Sequence, residues 1–285
     1  MKWEDRGRSP NLEDRRARRS PVARAGIPLG IGGVLLLFAL SALTGTDLFA
    51  LLGLSPTAST GTPQTAAPTE QSLAAEEEHV RFVSYVLDDV QVTWKGAFDG
   101  SGVDYHDATL VLYRDAVESG CGIAPAAAGP FYCPADMSVY LDLSFYETLR
   151  ERYGAPGDFA EAYVIAHEIG HHVQHLLGTM DAMRSTQQAR PADANALSVA
   201  LELQADCYAG VWAASAEARS TLDHGDLEEG LNAAAAVGDD RLAGRSGRIP
   251  NQETFTHGSS AQRTQWFRTG FDTGDPNACD TFAAL

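Results

Sequence analysis

Positive charge is scarce in this sequence. Its 285 residues hold 21 Lys and Arg against 38 Asp and Glu, for a net charge of −17. The first 24 residues carry eight of the basic and four of the acidic side chains, leaving residues 25–285 with 13 basic and 34 acidic ones. So acidic a stretch excludes nucleic acid as a partner, because phosphate recognition needs clustered cations. Cysteine is sparse as well. Cys121, Cys133, Cys207 and Cys279 form no CxxC pair, which argues against a zinc ribbon. No internal repeat is present.

What is there begins with an uncharged run, Gly26 to Leu43. As a helix it would be about 27 Å long, close to the thickness of a bilayer core. Arg15, Arg16, Arg18, Arg19 and Arg24 precede it. By the positive-inside rule, residues 1–25 are expected as a basic cytoplasmic N-terminus, 26–45 as a single transmembrane helix, and everything after it outside the cytoplasm. A cleaved signal peptide competes with this reading, but no small-x-small cleavage site follows the apolar run. A soluble helix is disfavoured by Gly30, Gly32 and Gly33. Residues 46–72 read as a Pro/Ser/Thr-rich linker that cannot bury a core. Residues 73–285 remain for one catalytic-size domain, with an overall hydrophobic share of 44% that is ordinary for a globule.

Outside the cytoplasm an even cysteine count favours disulfides. Cys121 and Cys133 flank a Gly/Pro/Ala-rich loop and form the obvious pair, contributing about 3 kcal/mol through the unfolded state. Cys207–Cys279 then follows by elimination. The alternative is that Cys207 is simply a small buried residue in a helix.

The domain opens with a helix over 73–90 whose Val80, Val83, Val86, Leu87 and Val90 share a face. Residues 109–113 and 137–141 read as short strands, and the chain after Leu143 is almost entirely helical. The fold expected is therefore α+β, mostly helical with a small sheet. Trp212 and Trp266 read as core aromatics.

Asp158 and Glu161 give a capping-box signal for a helix over 159–177, which ends before Gly178. At its apolar centre stands His167-Glu168-Ile169-Gly170-His171. Residues four apart share a helix face, so His167 and His171 can offer two imidazole nitrogens to one zinc ion. Glu168 points about 100° away and can take a proton from a water that zinc has made acidic. The H-E-x-x-H pattern alone also occurs by chance, as a buried helix with hydrogen-bonded histidines. A metzincin site is excluded by Gln174 and Leu177, where Gly and His are needed. His172 and His175 lie on the same rigid helix and cannot close around the same ion. The third ligand is better sought 31 residues beyond His171, in a helix over 194–219. There Glu202 and Asp206 share a face with small and apolar residues, where a lone carboxylate would be costly. Glu202 is the candidate ligand, and Asp206 can accept the second ring proton of a ligand histidine. The bland alternative is a solvated acidic patch.

The arrangement H-E-I-G-H followed by Glu202-Leu-Gln-Ala-Asp206 resembles the gluzincin layout. More closely, the chain resembles the bacterial neutral zinc metallopeptidase family, a zincin-like and membrane-anchored group. Lys2-Trp3-Glu4, Gly129-Pro-Phe-Tyr-Cys133-Pro-Ala-Asp136, Thr256-His-Gly-Ser259 and Gln262-Arg263 carry the resemblance along with the metal helix. It implies zinc on His167, His171 and Glu202, with Glu168 catalytic. His257, in a Gly/Ser-rich turn before a helix over 260–270, is a candidate donor to a developing oxyanion. The strand at 137–141 is a candidate edge for an extended substrate, with Tyr140 or Tyr132 lining the cleft; an ordinary core strand is the alternative. The function expected is a zinc-dependent, membrane-anchored metalloendopeptidase acting on a peptide or protein. A non-enzymatic anchored scaffold and a zinc amidase of the cell wall are the competing readings.

Overall fold

The computed structural model describes residues 1–18, 69–283 and 285. Residues 70–98 begin the main body as two helices, α1 (Glu70–Ala75) and α2 (Glu77–Phe98). The five apolar residues expected on one face of this segment, from Val80 to Val90, are all fully buried. Their helical spacing puts a continuous stripe against the core. A four-stranded sheet is built from β1 (Leu12–Asp14), β2 (Thr109–Tyr113), β5 (Phe131–Cys133) and β6 (Ser138–Asp142), in the order β1-β2-β6-β5. β1, β2 and β6 run parallel, whereas β5 lies antiparallel on β6 and forms one edge. Strand alternation divides the side chains between two faces. Leu110, Leu112, Val139 and Leu141 enter the main core. Val111, Tyr113 and Tyr140 face a small second cluster with Val117 of the hairpin β3 (Ala116–Ser119) and β4 (Gly122–Pro125).

The rest is helical: α3 (Ser144–Glu147), α4 (Asp158–Leu176), α5 (Thr179–Ala189), α6 (Ala194–Ala218), α7 (Asp226–Ala236), α8 (Asp239–Arg245) and α9 (Ser260–Thr273). Helix α4 packs on α2, α6 and α7 and reaches β5 and β6. The α6–α9 crossing is close enough that a Cβ on Gly270 would overlap the Cys207 carbonyl oxygen. Cys207 itself is bonded to Cys279, and Cys121 to Cys133, so both expected pairs are formed. Trp212 is fully buried and Trp266 packs at the core margin.

Several local expectations are revised. The Asp158/Glu161 pair does not cap α4; Gly157 stands at the cap position with no side-chain bond. Glu161 instead pairs with His79, and Asp158 accepts from the Met1 ammonium. The strand at 138–142 is internal to the sheet, so β5 takes the edge position.

No helix among the described residues is long and apolar enough to cross a membrane. The span expected at 26–45, and the linker as far as residue 68, lie outside the described residues. Residues 1–18, read from the sequence as a tail apart from the domain, pack into it. Trp3 sets its ring edge-on against Phe82, 5.6 Å away. Ser9 donates to Asp88 at 2.6 Å, and β1 pairs with β2 from Leu12↔Leu110 to Asp14↔Leu112. The Arg16 side chain is 1% exposed and donates to both Asp14 and Glu76. A guanidinium can be buried this deeply only because two carboxylates answer it.

Candidate metal centre

Three helices meet at the site. Helix α4 supplies His167, Glu168 and His171 from its buried middle, and α6 supplies Glu202 and Asp206. The two helices approach at Gly170, where a Cβ would meet the Ala205 carbonyl oxygen at 3.0 Å and Cα at 3.1 Å. A larger residue there would push the carboxylates of α6 away from the histidines of α4. The third helix, α9, brings Arg263.

The imidazoles of His167 and His171 lie 4.8 Å apart, with planes crossing at 87°. The Nε2 atom of His167 is 3.3 Å from Glu202 Oε2, and that of His171 is 3.4 Å from Oε1. These separations are long for charge-assisted hydrogen bonds, which run at about 2.7–2.9 Å. They match the edge of a tetrahedron around zinc, about 3.3 Å for metal–ligand bonds of roughly 2.0–2.1 Å. Ligand atoms from all three residues fall within 4.8 Å of one another. Two neutral-capable imidazoles and one carboxylate are a zinc donor set, and the residues fit that ion.

The far nitrogens of both histidines are fixed. The Nδ1 of His167 donates to Asp206 Oδ1 at 2.9 Å, and the Nδ1 of His171 donates to Gln174 Oε1 at 2.8 Å. Each bond sets the tautomer that leaves Nε2 free for a metal. Gln174 is held in turn by donating to Leu201 O at 2.7 Å. Asp206 is fully buried and accepts from four groups: His167, the Tyr163 hydroxyl, and Arg263 through both Nε and Nη2, at 2.8 and 2.9 Å. Burial alone would push the Asp206 carboxyl up, but Arg263 and His167 hold it below the ordinary range. Burial likewise disfavours the His167 imidazolium, yet Asp206 and Glu202 lift it to about 10 when no metal competes. Burial raises Glu168, and the two histidines only partly oppose this.

His167, Glu168, His171 and Glu202 open onto a cavity of about 760 Å³. Its walls include residues 126–132, which run into edge strand β5, and the apolar side chains of Phe145, Val164, Val237 and Leu242. Tyr132 lines it. Tyr140 does not: it is 1% exposed, bonded to Asp136 and stacked on Phe131. The Tyr132 hydroxyl bridges His172 and His175, so those two histidines are engaged in securing β5 to α4.

His257 also lines the cavity. Its Nδ1 faces Asp239 Oδ1 at 3.1 Å, and its backbone amide donates to Oδ2 of the same carboxylate at 2.8 Å. The bond to Asp239 raises the imidazole above its ordinary range despite partial burial. No hydrogen bond to its Nε2 exists among the described residues. Asp239, Tyr163 and Gln174 are residues that the sequence did not assign to the site. Gln174 carried a usable signal, since it follows His171 by three residues on one face. Asp239 lies 18 residues before His257 with no spacing rule to connect them. A second acidic group, Asp158, Asp226 and Glu229, is already answered by the Met1 ammonium and the Phe159 amide.

Residues 1–282 match the family described as putative neutral zinc metallopeptidase. The chain belongs to this family. It is 46% identical to uncharacterized protein YpfJ of Escherichia coli strain K12 over 99% of both chains. It is also 46% identical to uncharacterized protein Mb2605 of Mycobacterium bovis over 68% of each. No solved structure matches it. Zinc is the family's cofactor, in agreement with the donor set described above.

Proposed function

We propose that this zinc metallopeptidase family member is an active endopeptidase that hydrolyses peptide bonds of a protein or peptide lying along β5. The observation that carries the reading is the convergence of His167, His171 and Glu202, with each Nε2 3.3–3.4 Å from a Glu202 carboxylate oxygen and Glu168 in the same cavity. Zinc held by His167, His171 and Glu202 would supply Lewis acidity at the scissile carbonyl. Glu168 takes the proton of the attacking water. Its burial raises its affinity for that proton, which suits a base that must then pass it to the leaving amine. Asp206 and Gln174 keep the imidazoles in the ligating tautomer through the cycle. His257, whose imidazole the bond to Asp239 raises above its ordinary range, is placed in the cavity wall to donate to the developing oxyanion.

The peptide substrate class is supported by β5. Its outer edge pairs with no strand among the described residues, and the chain leading into it walls the cavity. An extended backbone can add there as a further strand. We further propose attachment to a membrane through residues 26–45, with the catalytic domain outside the cytoplasm. The two disulfides support an oxidising compartment.

The test uses the full chain, assayed for bound zinc and for cleavage of a denatured protein pool with and without chelator. Chelator-sensitive cleavage at about one zinc per chain is the expected result. Substituting Glu168→Gln should keep the zinc and lower turnover by roughly 10²-fold or more. Full zinc loading with no cleavage of any pool would replace the enzyme by an anchored zinc-stabilised scaffold. Release of amide-linked fragments from cell-wall material alone would replace the peptidase by an amidase.

A further inference from the structure

We propose that residues 1–18 lie on the same side of the membrane as residues 69–283, so that the intervening chain starts and ends at that one side. The inference rests on the membrane attachment proposed above, and it departs from the single-pass arrangement that the basic flank suggests.

The first argument is distance. The amide of Leu110 donates to Asn11 O at 2.8 Å, and the amide of Arg15 donates to Leu112 O at 2.7 Å. Paired strands lie about 4.8 Å apart, whereas the hydrocarbon core is about 30 Å thick. A paired β1 and β2 therefore cannot lie on opposite sides. Nor is β1 a loose appendage. It covers the β2 backbone at Val111 and Leu112, which are fully buried, and Arg16 behind it is 1% exposed.

The second argument is where the chain leaves and returns. Arg16 Nη1 donates to Glu76 Oε2 at 2.6 Å, and Arg8 Nε donates to Glu77 Oε1 at 2.8 Å. The segment just before residue 19 is thus bound to the segment just after residue 69. Both ends of the intervening run are fixed to one part of the domain surface.

The third argument concerns the charge signal. The positive-inside rule counts cations beside a span. Of the five arginines before the apolar run, three are held in ion pairs of the folded domain. Arg15 and Arg18 pair with Glu13, and Arg16 pairs with Asp14 and Glu76. Only Arg19 and Arg24 stand outside the described residues. Between Arg24 and Glu70 the sequence contains one charged residue, Asp47, and a second short apolar stretch at 48–54. Charge in this stretch therefore does not oppose an arrangement with both of its ends on one side.

The experiment uses the full chain in bacterial membranes. Glu4→Cys and Asp181→Cys are made separately, at side chains 79% and 77% exposed, while the four native cysteines are engaged in disulfides. A membrane-impermeant maleimide is applied to right-side-out spheroplasts and to inside-out vesicles. Both positions should label in the same preparation, and labelling in opposite preparations would overturn the proposal. As a second readout, Ser9→Cys with Asp88→Cys replaces a pair whose polar atoms are 2.6 Å apart. After treatment with a short thiol cross-linker and cleavage at a protease site inserted near residue 62, the two fragments should stay joined without reductant. Complete separation would count against the proposal even if every variant labels poorly. Recovery of the chain wholly in the soluble fraction would remove the attachment reading itself, and the proposal with it. That outcome is distinct from opposite-side labelling, which would leave attachment intact.

Discussion

Arg263 and Asp206 make the sharpest quantitative test of how the centre is held together. Their side chains are 4% and 0% exposed, and they meet through two parallel N–H···O contacts of 2.8 and 2.9 Å. Replacing Arg263 by Met would leave a buried carboxylate with only His167 and Tyr163 as donors. Breaking a buried pair by removing one partner costs about 3–5 kcal/mol. Asp206→Asn would cost a similar amount, because it leaves the buried guanidinium with only the more distant Glu202 carboxylate, 4.0 Å away, as counter-charge. The double variant removes both charges, while the side-chain amide introduced in place of Asp206 can still accept from His167. Its cost should therefore be close to that of one single variant, about 3–5 kcal/mol, and well short of the sum. For a domain of this size 1 kcal/mol moves the melting temperature by roughly 2–4 °C, so each single variant should melt roughly 6–20 °C below the parent. The assay is denaturant unfolding of the four proteins in chelator, which removes the metal's own contribution. Additivity of the two single effects to within about 0.5 kcal/mol would refute the buried-pair argument. With zinc present, both single variants should also bind it roughly 10–100-fold more weakly, through loss of the His167 orientation.

Gly170→Ala should destabilise the fold by about 1–3 kcal/mol and weaken zinc retention, since its Cβ would meet Ala205 O at 3.0 Å; unchanged unfolding and zinc affinity would show that α4 and α6 can part freely. Zinc uptake at pH 7 should release protons. His167 is held up to about 10 without metal and is protonated below that, so zinc must displace its proton and apparent affinity should rise with pH. Calorimetry in two buffers of different ionisation enthalpy measures this, and a heat independent of the buffer would contradict it. His257→Ala should lower kcat by roughly 10²-fold at full zinc occupancy, whereas a change confined to KM would assign His257 to substrate binding instead of the oxyanion.

The sequence and the structure agree best where a signal is local. The i, i+4 spacing of His167 and His171, and of Glu202 and Asp206, lies within single helices, and the helices form where periodicity and propensity put them. The strand at 109–113 is also local, since a short β-branched and aromatic run has few other uses. Long-range partners were less legible. Arg16 looks like part of a membrane flank because one of its answering carboxylates is Glu76, sixty residues away, and pairing across such a gap leaves no pattern in the chain. The Asp158/Glu161 signal failed for a related reason. Both side chains fit a local cap, but tertiary partners at Met1 and His79 bind them instead. The edge position of β5 was hidden because a three-residue strand gives too short an alternation to read.

The same long-range contacts explain why a motif of five residues can become a defined centre. Helix α4 alone presents two histidines whose rings could turn. Their orientation comes from Asp206 on α6 and from Gln174, which is itself held by the Leu201 carbonyl of α6. Asp206 is oriented by Arg263 on α9. Helix α9 is fixed on α6 by the glycine contact at Gly270, and Cys207, whose carbonyl makes that contact, is tied to the C-terminal segment through Cys279. The supports are spread over α4, α6, α9 and the C-terminal segment, so the ligand geometry depends on the packing of all three helices and not on the motif alone. A centre assembled this way is oriented before a metal or substrate arrives, and orientation supplied in advance need not be drawn from the binding of either.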